Sequence, residues 1–145
     1  MYKRQSEIDQ KVINFQLLNL PNIDGSLIVE AAGGLMVPIT RNYLQIDQIK
    51  KWNLPVILVC KSSLGTLNHT LLSIEALEKR NIKILGLIIN GQKHLDNAKT
   101  LAKFSNLPII AEFPFIEEID STNLDILWAE LNIKNKLISL LNSKR

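Results

Sequence analysis

Two blocks of the sequence combine residue types that can handle phosphate, carboxylate or metal. In the first, Val29 and Glu30 are followed by Ala31, Ala32, Gly33 and Gly34. A carboxylate at a strand tip can reach a hard cation, and small residues behind it let the backbone approach phosphates closely. A strand-to-loop turn with a solvated glutamate accounts for the pattern equally well. In the second block, Leu64, Gly65, Thr66, Leu67, Asn68, His69 and Thr70 follow an apolar run and open a helical pattern. A helix start offers free N–H groups and a positive dipole end, which suit an anion. Gly65 permits close approach, and Thr66 and Asn68 can add side-chain hydrogen bonds. An ordinary N-cap by Thr66 or Ser63 is the competing explanation.

Other polar residues carry less. His69, His94 and Cys60 lack the spacing of a metal site or a Cys/His catalytic pair. Cys60 reads as a small buried hydrophobe at a strand end, and His69 as a structural residue of the first helical turn. Lys61 sits where it could meet a phosphate, but an exposed surface lysine is the simpler reading. Glu117, Glu118 and Asp120 read as a solvated loop. Neither G-x-x-x-x-G-K-[ST] nor G-x-G-x-x-G occurs, so the chain as written does not cradle a triphosphate in the P-loop manner.

These blocks need elements to position them. Ile8, Val12, Ile13, Phe15, Leu17 and Leu18 predict an amphipathic helix from Ser6 to about Leu20. Residues 26–29 predict a short buried strand ending at Glu30, after turn chemistry at 22–25. Further strands are expected over 55–60, 82–89 and 108–111. Helices are expected over 46–52, 65–80, 96–104 and 123–141, the last with a possible break near Asn132. Strands alternating with helices imply an α/β fold, a parallel sheet with helices on both faces. Ligands in such sheets bind outside the carboxyl ends of the strands. Glu30, the segment 61–69, Asn90 and the segment 112–115 all fall at those ends.

Composition bounds the reading. The chain has 145 residues, 46% hydrophobic and 21% charged, with a net charge of +3. That suits a single α/β domain over residues 6–145 and excludes a disordered tail. The apolar runs are far shorter than the roughly 20 residues a membrane helix needs. The basic residues are scattered and aromatics are 6%, so neither nucleic acid nor membrane is an expected partner. The single cysteine fits a reducing, cytoplasmic compartment. Residues 1–5, Met-Tyr-Lys-Arg-Gln, have no capping logic and resemble the translation of a transposon end used in DNA library preparation. The expectation is a non-native scar, set aside from the fold reading, and a frayed native terminus is the plain alternative.

The run from Val29 to Ile39, the run from Leu54 to Val59 and the block from Leu64 to Leu77 resemble the dethiobiotin synthetase family. The likeness continues through 86–90 and Glu112-Phe113-Pro114 and covers about residues 8–130. Gly65-Thr66-Leu67-Asn68-His69-Thr70-Leu71-Leu72-Ser73 is its specific part. The glutamate-and-glycine block is shared with cobyrinate amidotransferases, and an ATPase fragment related to those is a more distant reading.

The resemblance implies a P-loop NTPase-like fold and an ATP- and Mg²⁺-dependent cyclo-ligase of biotin biosynthesis, homodimeric when complete. Such enzymes make dethiobiotin from 7,8-diaminopelargonate and CO₂. A carbamate forms on one substrate nitrogen, ATP phosphorylates it, and the second amine closes the ring with loss of phosphate. By the same resemblance Glu30 is the Mg²⁺ ligand, and Glu30, Ala31, Ala32 and Gly33 form the loop near the ATP phosphates. Asn90 and Gly91, with Phe113, Pro114 and Phe115, would hold the adenine end. Gly65, Thr66, Leu67 and Asn68 would hold the substrate carboxylate. Ala31 replaces the family's usual glycine, and Gly91 an acidic residue. The family opens with a P-loop and a catalytic lysine that have no counterpart here, so no catalytic residue is assigned. The expectation is a portion truncated at the N-terminus and inactive by itself. The alternative is a natural P-loop-less homologue acting as a binding or partner module.

Overall fold

A computed structural model describes residues 11–94 and 96–142. The expected scar and the first residues of the predicted opening helix lie outside the described residues. The chain divides into two compact units. One takes the described part of Met1–Leu54 with Arg80–Ile82, and the other takes Pro55–Lys79 with the described part of Lys83–Arg145.

In the first unit the described part of the predicted opening helix forms one 3-10 turn, Phe15–Leu18. Val12 is 95% exposed and Leu17 82%, so the apolar face that would hold a helix is not buried. The Leu18 carbonyl instead accepts from Gln48 Nε2 at 2.9 Å and Trp52 Nε1 at 2.6 Å. The strand expected over 26–29 is also absent. Those residues pair with no strand among the described residues, and Ile28 is 94% exposed. An apolar run becomes a strand only where a neighbour satisfies its backbone.

A hairpin stands where none was expected: β1, Pro38–Thr40, pairs antiparallel with β2, Tyr43–Leu44. Helix α1, Gln45–Trp52, follows directly and buries Ile46 and Ile49. The Asp47 side chain accepts from the Leu44 N–H at 3.1 Å, which caps the helix start. Gln48 is buried and satisfied on both sides, taking the Tyr43 hydroxyl at 3.1 Å and donating to Leu18.

The second unit carries the sheet. Strands β3 (Val56–Lys61), β4 (Ile84–Asn90) and β5 (Ile109–Phe113) are parallel, in the order β3-β4-β5. The alternation predicted for this stretch is what forms. Helix α2 is Thr66–Glu78, α3 Asn97–Ser105, α4 Ser121–Glu130 and α5 Ile133–Asn142. The long last helix breaks at Leu131 and Asn132, as expected.

Both faces of β4 are covered. Ile88 packs into a cluster with Ile110, Ile133 and Leu137. Its neighbours Leu87 and Ile89 point the other way and are buried as well. Helix α2 lies against β3, and α3 against α2. Gly86 is where β4 and β5 come closest. A Cβ there would fall 2.6 Å from the Pro108 carbonyl oxygen and 2.9 Å from Ile110 Cγ1.

Candidate functional site

The register of the sheet brings its strand ends level. Lys61 is opposite Asn90, and Asn90 is opposite Phe113. Past those ends the backbone keeps bonding. The Ser62 N–H donates to the Asn90 carbonyl at 2.8 Å, and the Gly91 N–H to the Phe113 carbonyl at 2.9 Å. Three loops therefore leave the sheet side by side at its carboxyl edge, where open α/β sheets take ligands.

A cavity of about 440 Å³ opens beside this edge. Gly91, Phe113 and Pro114 of the expected adenine group line it, together with Ser62, Lys93 and Lys136. Asn90 is exposed at the tip of β4, and Phe115 is 78% exposed; neither lines the cavity. Ser62 and Lys136 were not singled out from the sequence. The Lys136 ammonium donates to the Ile110 carbonyl at 2.9 Å. Nothing in its own sequence context marks it, because the contact spans 26 positions. Ser62 had a local signal, its place immediately after a strand.

A second cavity, about 210 Å³, lies between β3 and the start of α2. Thr66 lines it with Cys60, Lys61, Ser63, His69 and Thr70. Gly65 begins the helix at φ +87°, a left-handed conformation that favours glycine. No side chain caps this end, so neither Ser63 nor Thr66 is the conventional cap. Thr66 Oγ1 instead lies 3.5 Å from Thr70 Oγ1, with both residues buried. Leu67 is half-buried and Asn68 exposed, and neither lines the cavity. The Cys60 thiol donates to the Ile88 carbonyl at 3.4 Å. Burial pushes its pKa up, partly offset by the Thr70 and Thr66 hydroxyls.

Glu30, Ala31, Ala32 and Gly33 belong to the other unit, on irregular chain leading into β1. Glu30 is exposed. The segment behind it is held from the backbone. Val37 N–H donates to Gly34 at 3.1 Å, Gln45 N–H to Val37 at 2.9 Å and Ile46 N–H to Leu35 at 2.9 Å. The buried Gln45 amide lies 3.5 Å from both the Gly33 and the Gly34 carbonyls. Among the described residues no group of three or more His, Cys, Asp or Glu could hold a metal. Within the block 29–34, Glu30 is the residue that carries a carboxylate, a hard oxygen donor. That fits Mg²⁺, which keeps several waters and takes one or two carboxylates besides phosphate oxygens. Among the described residues no helix is long and apolar enough to cross a membrane.

Comparison with known proteins identifies the chain's relatives. A family model described as an AAA domain matches residues 2–123. The chain is similar to the ATP-dependent dethiobiotin synthetase BioD of Lawsonia intracellularis (strain PHE/MN1-00). They are 43% identical over 119 residues, 82% of this chain and 58% of that protein. The protein of the same name from Rhodopseudomonas palustris (strain HaA2) is 40% identical over 125 residues, 86% of this chain and 59% of its own length. The biotin biosynthesis bifunctional protein BioCD of Bordetella avium (strain 197N) is 38% identical over 134 residues, 92% of this chain and 29% of that protein. The chain thus spans a little over half the length of the dethiobiotin synthetases it matches. The resemblance drawn from the sequence motifs is borne out.

Proposed function

The chain belongs to the AAA domain family, and from that premise we propose that it is the carboxyl-terminal portion of an ATP-dependent dethiobiotin synthetase. The observation that carries the reading is the cavity at the carboxyl edge, which gathers Gly91, Phe113 and Pro114 from two strand ends. The relatives' names give the ATP-dependent synthesis of dethiobiotin. Closure of a cyclic urea on 7,8-diaminopelargonate with CO₂ is what the family resemblance implies.

In this reading Asn90 and Gly91, with Phe113, Pro114 and Phe115, hold the nucleotide's base end. The start of α2, residues 65–68, has no side-chain cap. Although the Thr66 N–H donates to the Ser63 carbonyl at 3.1 Å, the neighbouring N–H groups of the first turn take the substrate carboxylate. Glu30 supplies a carboxylate ligand to Mg²⁺, and Ala31, Ala32 and Gly33 let the backbone close on the phosphates. The bound ion would neutralise charge on the phosphates of ATP. Everything else these residues do is orientation and charge matching. The phosphate-binding loop and catalytic lysine lie outside this sequence, so the chain alone is inactive. Assembly as a homodimer and a cytoplasmic location belong to the same reading.

The test is a mass-spectrometric assay for dethiobiotin with diaminopelargonate, bicarbonate, ATP and Mg²⁺. The full reading frame that contains this chain is expected to make product, and residues 6–145 alone none. Product from the chain alone would refute the need for a P-loop. No product from a folded full-frame protein would replace the enzyme reading with that of a binding module.

A further inference from the structure

Ser62 Oγ is a buried side-chain oxygen with no hydrogen-bond partner among the described residues. Its surroundings explain why. The residue leaves β3 at the carboxyl edge, where its N–H is committed to the Asn90 carbonyl. Its Cβ and backbone face Gly91, which adopts φ +122° and would bring a Cβ to 3.7–3.9 Å from Ser62. The same residue lines the 440 Å³ cavity beside Gly91, Phe113 and Pro114. Buried hydroxyls in native proteins are almost always paired, and an exception calls for a reason. A serine hydroxyl reaches any of three staggered positions by one rotation about Cα–Cβ.

We propose that Ser62 is a nucleoside-positioning residue, whose hydroxyl turns into the cavity and hydrogen-bonds a polar atom of the bound nucleoside. The inference rests on the base-end assignment above and adds to it a residue from a third strand end. Ser62 would couple the loop after β3 to the ligand held by the loops after β4 and β5. A hydroxyl left unpaired until the ligand arrives adds selectivity, because an occupant unable to bond leaves it unsatisfied.

The test is adenosine titration into the full 145-residue chain. Binding is followed by chemical-shift changes at the Gly91 and Phe113 amides, and melting temperature is recorded in parallel. Four proteins are compared: wild type, Ser62→Ala, Ser62→Thr and Asn90→Ala. Ser62→Ala is expected to weaken adenosine about tenfold, as the loss of one ligand hydrogen bond does. Its melting temperature is expected to stay level or rise, since an unpaired buried hydroxyl has been removed. Ser62→Thr, which keeps the hydroxyl, is expected to restore most of the affinity. Wild-type affinity in a folded Ser62→Ala, with binding weakened in Asn90→Ala, would overturn the role of Ser62 and leave the base-end assignment standing. Wild-type protein that shows no shifts at millimolar adenosine would overturn both. A lower melting temperature for Ser62→Ala with unchanged affinity would make the hydroxyl structural and likewise overturn the proposal.

Discussion

The two units hold their candidate residues in different ways. In the second unit Asn90, Gly91 and Phe113 stand at the ends of paired strands, and the ladder fixes their relative height. In the first unit Glu30 stands on irregular chain, steadied through Gly33 and Gly34 by one glutamine side chain and a few backbone bonds. A strand end positions a residue through many cooperative contacts, whereas a loop does so through two or three. The sheet edge is accordingly preformed, and the carboxylate-bearing loop depends more on what binds it.

Truncation of buried residues breaks this contrast most sharply. Leu87→Ala, at a fully buried position of the central strand, is expected to cost about 3 kcal/mol or more in urea unfolding. Ile28→Ala, at a position 94% exposed on the unpaired run of the first unit, is expected to stay within about 0.5 kcal/mol of wild type. Equal losses would mean that residues 26–29 are packed after all.

Glycine substitutions sharpen the same comparison. Gly86→Ala drives a methyl into the Pro108 carbonyl and is expected to cost about 1–3 kcal/mol. Gly34→Ala meets nothing within 4 Å and is expected to leave stability unchanged. A large loss at Gly34 would show the first unit's loop to be as tightly fitted as the sheet.

The smallest expected effect concerns Cys60. Its folded pKa is raised, so the native thiol holds its proton to higher pH than the unfolded one. Iodoacetamide is expected to modify the native chain more slowly than the urea-unfolded chain at pH 8, because the thiolate is the nucleophile. The thiol's contribution to stability is fully present below its ordinary value of 9.0 and is lost as pH climbs through the raised one. Equal rates at pH 8 would place the thiol in the open.

Much of the second unit was legible because its apolar runs are long and its turns carry strong residues. The three strands and the helices between them followed from patterning, and the break at Asn132 from the residue that makes it. Asn53, Asn81, Asn106 and Asn132 all adopt φ of 52–56°, a conformation asparagine tolerates beyond helix ends. The front half misled for a physical reason. Residues 12–18 and 26–29 have apolar patterns, but among the described residues neither segment finds enough partners to complete its element. The hairpin at 38–44 was missed because strands of three and two residues carry no period. The candidate residues were legible as motifs. Lys136 and Gln45 were not, since each is defined by what it meets in space, and Ser62 had only its place after a strand to mark it.

The central claim is that this chain is one portion of a dethiobiotin synthetase whose phosphate-binding loop is encoded elsewhere in the same reading frame. The direct measurement is to sequence the source DNA upstream of the Ser6 codon. The account predicts an in-frame G-x-x-x-x-G-K-[ST] following a strand pattern. A stop codon and start signal immediately upstream would contradict it and leave a P-loop-less binding protein.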